Sequence, residues 1–273
     1  MQHDEQSDKA FLKHLGQHLV AICGSYVQSA AKGQSQFYSY TGTVFEIQGR
    51  WCIATAGHCL RQLEEATSSP QLRVESQVLA DCFGPNATNN MPLPFKPLEE
   101  GFLYVDEDGL DFGLILISDL WKQNLERNGI IPFTSKQWHF PTTQGFEGYA
   151  IVGFPDEYTG TVVSNEQEPL IGHVKPCYVP IARLPNDTSN SFPRFMGQIL
   201  DKGNQQSIVG MSGGPIFGFF REGGQVKYLL LALQSTWDKR STVFGCLIPA
   251  MIKCLEQKVR DYLDSSRLRS STE

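Results

Sequence analysis

Residues 209–216 read VGMSGGPI, a serine placed among three glycines. Glycines this close together allow backbone angles that other residues rarely adopt, so the segment is not an ordinary piece of buried core. Two other segments precede it in the chain, TAGHC at 55–59 and DFGLI at 111–115. Together the three segments supply an imidazole, a carboxylate and a hydroxyl, in the order His58, Asp111 and Ser212.

These three side chains have the chemistry of a nucleophilic catalytic site. A serine hydroxyl is a weak nucleophile that needs a base within hydrogen-bond reach, and the base needs a third group to fix its tautomer. We therefore expect Ser212 to be the nucleophile, His58 the general base and then acid, and Asp111 the carboxylate that orients the imidazole.

Acyl transfer develops a negative charge on the carbonyl oxygen of the substrate, and this oxyanion needs N–H donors aimed at it. Glycines allow the backbone angles at which successive N–H groups can converge on one point. We expect the N–H groups of Gly210 and Ser212 to form this oxyanion hole. Gly213 and Gly214 would leave room beside the nucleophile.

Each of the three residues also has a structural interpretation. Ser212 could belong to a plain glycine turn, His58 could be a buried core histidine, and Asp111 could be a turn residue that follows the acidic run DEDG at 106–109. That turn suggests calcium, but an EF-hand loop needs three alternating acidic or Asn positions before its glycine and only two precede this one. We expect no metal and no cofactor.

Composition limits the partners and the compartment. Hydrophobic residues make up 41% and charged residues 19%, which predicts a packed core. A net charge of −6 without a basic cluster disfavours nucleic acid. The polar N-terminus is unlike a secretion signal, and no apolar run approaches the roughly 20 residues of a membrane span. The seven cysteines are irregularly spaced, which predicts reduced thiols in a cytoplasmic protein without a zinc site.

The pattern between residues 40 and 248 predicts an all-β fold, because many short runs of β-formers alternate with Gly, Pro, Asn and Asp turns. Apolar residues at helical spacing predict a short helix over 8–20 and a closing helix over 250–264. Several short strands of this kind are typical of a sandwich or a barrel.

The motifs resemble those of the trypsin-like, chymotrypsin-fold serine peptidases: TAGHC is similar to their TAAHC segment, DFGL to D-x-x-L, and GMSGGP to GxSGGP. Other segments resemble bacterial members, including the HtrA-like ones. The resemblance implies a serine endopeptidase with two six-stranded antiparallel β-barrels and the active site between them. We expect four parts, a helical extension at 1–34, the first barrel at 35–130, the second at 131–249, and a helix and tail at 250–273.

Two departures from that family are informative. Secreted members have Asp immediately before the nucleophile, where it pairs with a freed N-terminal amine, but Met211 stands there. They also bridge the cysteine after the histidine to one 16 residues earlier, but the partner position of Cys59 is Thr43. Both departures favour an enzyme that is not secreted and is not activated by that ion pair.

The resemblance also implies where substrate binds. Ser235, Thr236 and Trp237 occupy the segment that pairs with the substrate backbone. Gln206, six residues before Ser212, lies near the floor of the pocket for the residue preceding the cut, and a neutral side chain there argues against selection of Arg or Lys.

Three functions stay open from the sequence. The first is an endopeptidase acting on a protein or peptide substrate, with a regulatory protein partner and, by analogy, a role in bacterial defence or regulation. The second is a catalytically locked binding module with the same fold. The third is a serine esterase that uses the same residues.

Overall fold

The structure is a computed structural model and describes residues 5–28, 35–88, 92–107, 109–138, 145–158, 160–164, 168–201 and 207–258. Its helices are α1 (Glu5–Gly16), α2 (Gly57–Ser68), α3 (Asp119–Arg127) and α4 (248–258). Its strands are β1 (Leu19–Gln28), β2 (Ser35–Ile47), β3 (Arg50–Thr55), β4 (Leu72–Ala80), β5 (Leu93–Pro94), β6 (Gly101–Glu107), β7 (Leu110–Leu116), β8 (Gly148–Gly153), β9 (Gly160–Ser164), β10 (Glu168–His173), β11 (Cys177–Asp187), β12 (Arg194–Ile199), β13 (Pro215–Glu222), β14 (Gln225–Trp237) and β15 (Thr242–Leu247).

The N-terminal half is an antiparallel sheet of seven strands in the order β5-β4-β1-β2-β3-β7-β6. Strand β1 lies between β4 and β2, and its residues 19–23 are at most 1% exposed. The prediction that residues 1–34 form a helical extension outside the first barrel therefore needs correction. The run LVAIC at 19–23 belongs to the buried strand β1. Its first two residues, Leu19 and Val20, also fit the helical spacing of apolar residues predicted for 8–20.

The C-terminal half is a closed antiparallel barrel of six strands in the order β11-β12-β15-β14-β13-β8. Strands β9 and β10 form a separate hairpin. The all-β, double-barrel prediction is confirmed, although the first half has a seven-stranded sheet where six strands were expected.

Helix α1 joins the two halves. The Phe11 ring packs on Tyr178 and Phe219 of the second barrel, at centroid distances of 6.2 and 5.3 Å, while the chain that follows enters the first sheet as β1. The predicted helix over 8–20 is present but ends earlier, at Gly16, because residues from Leu19 onward pair with β2.

A buried histidine lies where α1 meets both halves. His18 is 2% exposed; its Nδ1 donates to Ile131 O at 2.5 Å, and its Nε2 accepts from the Tyr228 hydroxyl at 2.7 Å. The imidazole also stacks on Phe133 with 4.1 Å between ring centroids. Burial lowers the pKa of His18 from 6.5 to about 4, so the ring is neutral at neutral pH.

Helix α4 closes the core that the two halves share. Met251 and Leu255 are fully buried in a cluster that includes Phe45 from the first sheet and Phe217 from the second barrel. The predicted closing helix over 250–264 is described up to residue 258, and its last part lies outside the described residues. Within the described part of the chain, no helix is both long and apolar enough to cross a membrane.

Candidate active site

The start of α2 places His58 beside β7. Strand β3 ends at Thr55, which pairs with Gly113, and the chain then turns into the helix. Gly57 permits this approach, because a Cβ there would collide with the main-chain oxygens of Val105 and Phe112. As a result, the first turn of α2 packs directly against the strand that carries Asp111.

Asp111 holds His58 through both carboxylate oxygens. The His58 main-chain N–H donates to Oδ1 at 2.9 Å, and the imidazole Nδ1 donates to Oδ2 at 2.8 Å. A carboxylate only accepts, so Nδ1 carries a proton. The Asp111 side chain is largely buried, while that of His58 is 21% exposed.

The environment of His58 raises its pKa. Burial lowers the pKa of the imidazole, but the hydrogen bond and charge of Asp111, together with a contact from Cys59, raise it by more. The Cys59 thiol lies 3.6 Å from Nε2. Burial raises the pKa of that thiol, so it is protonated and acts as a weak donor to Nε2.

Ser212 lies in the segment 207–214, here called the nucleophile loop, which leads into β13 of the second barrel. Its carbonyl accepts from the Thr41 N–H at 3.2 Å and faces the Thr55 hydroxyl at 3.5 Å. These two contacts place the nucleophile loop beside the end of β3, and Thr55 is three residues before His58 in the chain.

The Ser212 hydroxyl points toward β14. Its Oγ donates to the main-chain oxygen of Ser235 at 3.2 Å, and no hydrogen bond joins it to Nε2 of His58 among the described residues. The structure therefore brings His58 and Asp111 into direct contact, while Ser212 is present with its hydroxyl turned toward β14.

The peptide orientations of the nucleophile loop are fixed by hydrogen bonds. The Val209 carbonyl accepts from the Asp156 N–H at 2.8 Å, so the next N–H in that trans peptide, that of Gly210, points away from Asp156. The Met211 carbonyl accepts from Gly214 at 2.8 Å, which turns the Ser212 N–H away in the same manner. Neither N–H donates to a backbone oxygen within the described residues.

Gly210 is the position where this loop requires a glycine. Its φ is +91°, a left-handed conformation, and any Cβ would collide with the main-chain oxygen of Phe154 and with Asp156 Oδ1. Both the backbone angle and the close packing exclude a side chain.

Threonines of the first sheet hold the loop, a feature that the sequence motifs did not indicate. The buried Thr41 hydroxyl donates to Gly210 O at 3.0 Å and accepts from the Phe154 N–H at 2.9 Å. The Thr43 hydroxyl donates to Gly213 O at 2.9 Å. Thr43 stands where the secreted peptidases have a cysteine, and its hydroxyl binds the nucleophile loop one residue after Ser212.

The two departures from the secreted family have structural counterparts. Met211 is fully buried among the apolar side chains of the second barrel. Cys59 is buried and unbridged, and all seven cysteines are free thiols.

The predicted substrate residues lie at the end of β14. Ser235 is buried, with its hydroxyl 3.4 Å from Phe244 O, whereas Thr236 is exposed and Trp237 is half-buried against the core of the second barrel. This end of β14 pairs with β15 on one side, while its pairing with β13 on the other side stops at Leu233. Gln206 lies outside the described residues, so its predicted place at the pocket floor stays a prediction.

Among the described residues, no group of three or more His, Cys, Asp or Glu side chains is arranged to hold a metal ion. One cavity of about 200 Å³ lies between the β2–β3 hairpin and α4, with Glu46, Trp138 and Glu256 among its lining residues, and it contains none of the predicted catalytic residues.

Comparisons with known proteins gave no match to a family model and none to a curated protein. Several solved structures match. The thermostable serine protease AL20 from an extremophilic microorganism has a TM-score of 0.45 and 15% identity, covering 85% of this chain and 91% of that chain. The protease Anisep from Arthrobacter nicotinovorans has a TM-score of 0.44 and 16% identity, with coverages of 85% and 90%. The MamO protease domain from Magnetospirillum magneticum has a TM-score of 0.39 and 12% identity, with coverages of 88% and 96%. At these identities the neighbours' activities do not transfer, and the function of this chain has to follow from its own residues.

Proposed function

We propose that the chain is a serine endopeptidase in which His58, Asp111 and Ser212 form the catalytic triad. The observation that carries this proposal is the double hydrogen bond of Asp111 to His58, at 2.8 and 2.9 Å, beside a loop that presents Ser212. An orienting carboxylate, an imidazole that can act as base, and a serine hydroxyl are the parts that acyl transfer requires.

Acylation begins when the Ser212 hydroxyl rotates from Ser235 O to Nε2 of His58. Its Oγ attacks the scissile carbonyl while the proton passes to Nε2, and Asp111 stabilises the imidazolium through Nδ1–H. The oxyanion binds the N–H groups of Gly210 and Ser212. The imidazolium then protonates the leaving amine as the peptide C–N bond breaks.

Deacylation uses the same groups. Water loses a proton to His58 Nε2 and adds to the acyl-enzyme, and the second oxyanion occupies the same pair of N–H groups. Collapse of that intermediate returns the proton to Ser212 Oγ and releases the acid. The chemistry is complete with side chains and backbone of this chain, and no step draws on a metal or cofactor.

The substrate is an extended peptide that pairs with β14. The backbone of residues 235–237 has β15 on one side only, and the Ser212 hydroxyl lies against Ser235. A strand added at this edge would run beside the nucleophile, which is β-augmentation. An exposed Thr236 and a half-buried Trp237 would then contact alternate substrate side chains.

A second candidate is a latent form that a regulatory protein partner activates. The observation in its favour is the Ser212 hydroxyl, which donates to Ser235 O where an assembled triad would have it donate to His58. The latent form predicts that the isolated chain cleaves little, and that activity appears when the partner is added.

Hydrolysis of an unfolded protein separates these functions. Wild-type chain should cleave it, Ser212→Ala should not, and Ser241→Ala, a serine in the β14–β15 turn, should cleave like wild type. If Ser212→Ala retains full activity, the proposal is wrong. If the wild type hydrolyses simple esters but no peptide under any condition, the chain is an esterase.

A further inference from the structure

The absence of an ion pair at Met211 leaves open what fixes the Val209–Gly210 peptide. Met211 is buried among apolar side chains and cannot bind a charged amine. A glycine peptide at φ +91° has intrinsic freedom to turn over, since no side chain restricts it. Whatever holds this peptide decides whether an N–H or a carbonyl oxygen faces the cleft.

Asp156 contacts this peptide from the loop after β8. Its N–H donates to Val209 O at 2.8 Å, and its Oδ1 lies against the Cα of Gly210, where a side chain would collide. Its carboxylate in turn accepts from the Ser39 hydroxyl at 2.8 Å. Ser39 is buried on β2 of the first sheet, so Asp156 links the nucleophile loop to both halves of the molecule.

The contacts of Asp156 favour one orientation of the peptide. If the Val209–Gly210 peptide turned over, the Gly210 N–H would face the Asp156 N–H, donor against donor, and Val209 O would lose its partner. The hydrogen bond from the Asp156 N–H therefore stabilises the orientation in which the Gly210 N–H points away from Asp156, and the Ser39 contact holds Asp156 where it can donate that bond.

We propose that Asp156 is a positioning residue for the oxyanion hole: tethered by Ser39, it holds the Val209–Gly210 peptide with the Gly210 N–H toward the substrate, replacing the ion pair that Met211 cannot make. The inference rests on the proposed function for its catalytic consequence. The orientation of the Val209–Gly210 peptide can be determined whether or not the chain is active.

Three variants and a double variant test it. Asp156→Ala removes the tether and should slow acylation of Ser212 by a fluorophosphonate about tenfold or more, since loss of one oxyanion donor costs on the order of 10²–10³-fold. The main-chain N–H of residue 156 is present in every variant, and Asp156→Asn also keeps an acceptor for Ser39, so it should stay within about threefold of wild type. Ser39→Ala should resemble Asp156→Ala, and the double variant should be no slower than either, because both remove one linkage.

Two further readouts separate positioning from general damage. With a peptide substrate, Asp156→Ala should lower kcat and leave KM nearly unchanged, because the β14 edge that binds substrate is untouched. Crystal structures should show the Val209 carbonyl moved off Asp156 N in Asp156→Ala and retained in Asp156→Asn. Thermal unfolding of the variants reports whether the fold itself is preserved.

The outcomes are distinct. If the wild type takes no label, the proposed function fails, and the crystal structures still decide the orientation of the peptide. If the wild type labels while Asp156→Ala labels equally fast with an unmoved peptide, the inference about Asp156 is wrong. Equal losses in Asp156→Ala and Asp156→Asn would also overturn it, because the Asn variant retains the tether.

Discussion

The contact between His58 and Asp111 predicts how kcat/KM depends on pH. The proposed mechanism needs neutral His58, and Asp111 raises the pKa of the imidazole above 6.5 despite its burial. Therefore kcat/KM should rise with pH, with a midpoint above 6.5. In Asp111→Asn the midpoint should move down and kcat/KM should fall by roughly 10³–10⁴-fold, since the amide no longer enforces the correct tautomer.

A nearby carboxylate serves as the control for that pH profile. Asp106 pairs with Arg61 on the surface at 2.7 Å and lies five residues before Asp111. Asp106→Asn should leave the midpoint of kcat/KM in place, whereas a shift as large as that of Asp111→Asn would point to a general charge effect and against a specific role for Asp111.

Thr41 makes a prediction about stability. Thr41→Val keeps the shape but removes the hydroxyl, so Gly210 O and the Phe154 N–H each lose a buried partner. The free energy of unfolding should fall by about 1–3 kcal/mol per group left without a partner, measured by urea denaturation. Thr41→Ser keeps the hydroxyl and should lose less, mainly through one methyl. Equal losses in the two variants would mean that the hydrogen bonds are unimportant.

These residues also show what the sequence can predict about a site. His58, Asp111 and Ser212 stand out because each has an unusual local context, such as glycines around the serine. Thr41 does not, because a threonine in a strand is an ordinary β-former, and its partner Gly210 lies 169 positions away in the chain. The direction of the Ser212 hydroxyl is likewise a matter of tertiary contacts with β14.

The nucleophile loop is anchored to the second barrel by Met211, whose buried side chain contributes to the free energy of unfolding. Met211→Asp would place a charge among the apolar side chains of the second barrel. It should therefore lower the free energy of unfolding by several kcal/mol, and it should not create the ion-pair switch of secreted peptidases. Met211→Leu preserves volume and polarity and should cost under about 1.5 kcal/mol. Urea denaturation of both variants measures the free energy of unfolding. If Met211→Asp is as stable as Met211→Leu, the prediction is wrong.

The strands themselves were predictable to different degrees. The all-β pattern of β2, β3 and β7 follows from β-formers between turn residues, and those elements are present. Strand β1 was missed because Leu15, Leu19 and Val20 continue the helical spacing of α1. Only pairing with β2 and β4 on both sides decides that residues 19–28 are extended, which local pattern alone does not reveal.

Burial of His18 where the two halves meet makes the stability of the entire chain depend on pH. Its pKa is lowered from 6.5 to about 4, so between these values the unfolded chain binds a proton that the folded chain does not. Its contribution to stability is fully present above 6.5 and is lost as pH falls toward 4. At pH 5 the loss is about 2 kcal/mol.

Denaturation at two pH values tests this. The wild type should lose stability between pH 7 and pH 5, and His18→Gln, which does not titrate, should lose about 2 kcal/mol less over the same interval. The variant is expected to be less stable at pH 7, because Ile131 and Tyr228 lose their common partner. An identical pH dependence in both proteins would show that His18 is not the group responsible.

Acyl transfer by Ser212, activated by His58 and Asp111, can be tested by mapping a covalent adduct on the chain. A fluorophosphonate should modify the wild-type chain once, and peptide mass mapping should place the adduct on Ser212. His58→Ala should slow its formation by orders of magnitude, and Ser212→Ala should carry none. An adduct on another residue, or cleavage of protein substrates by a chain that takes no label on Ser212, would contradict the claim.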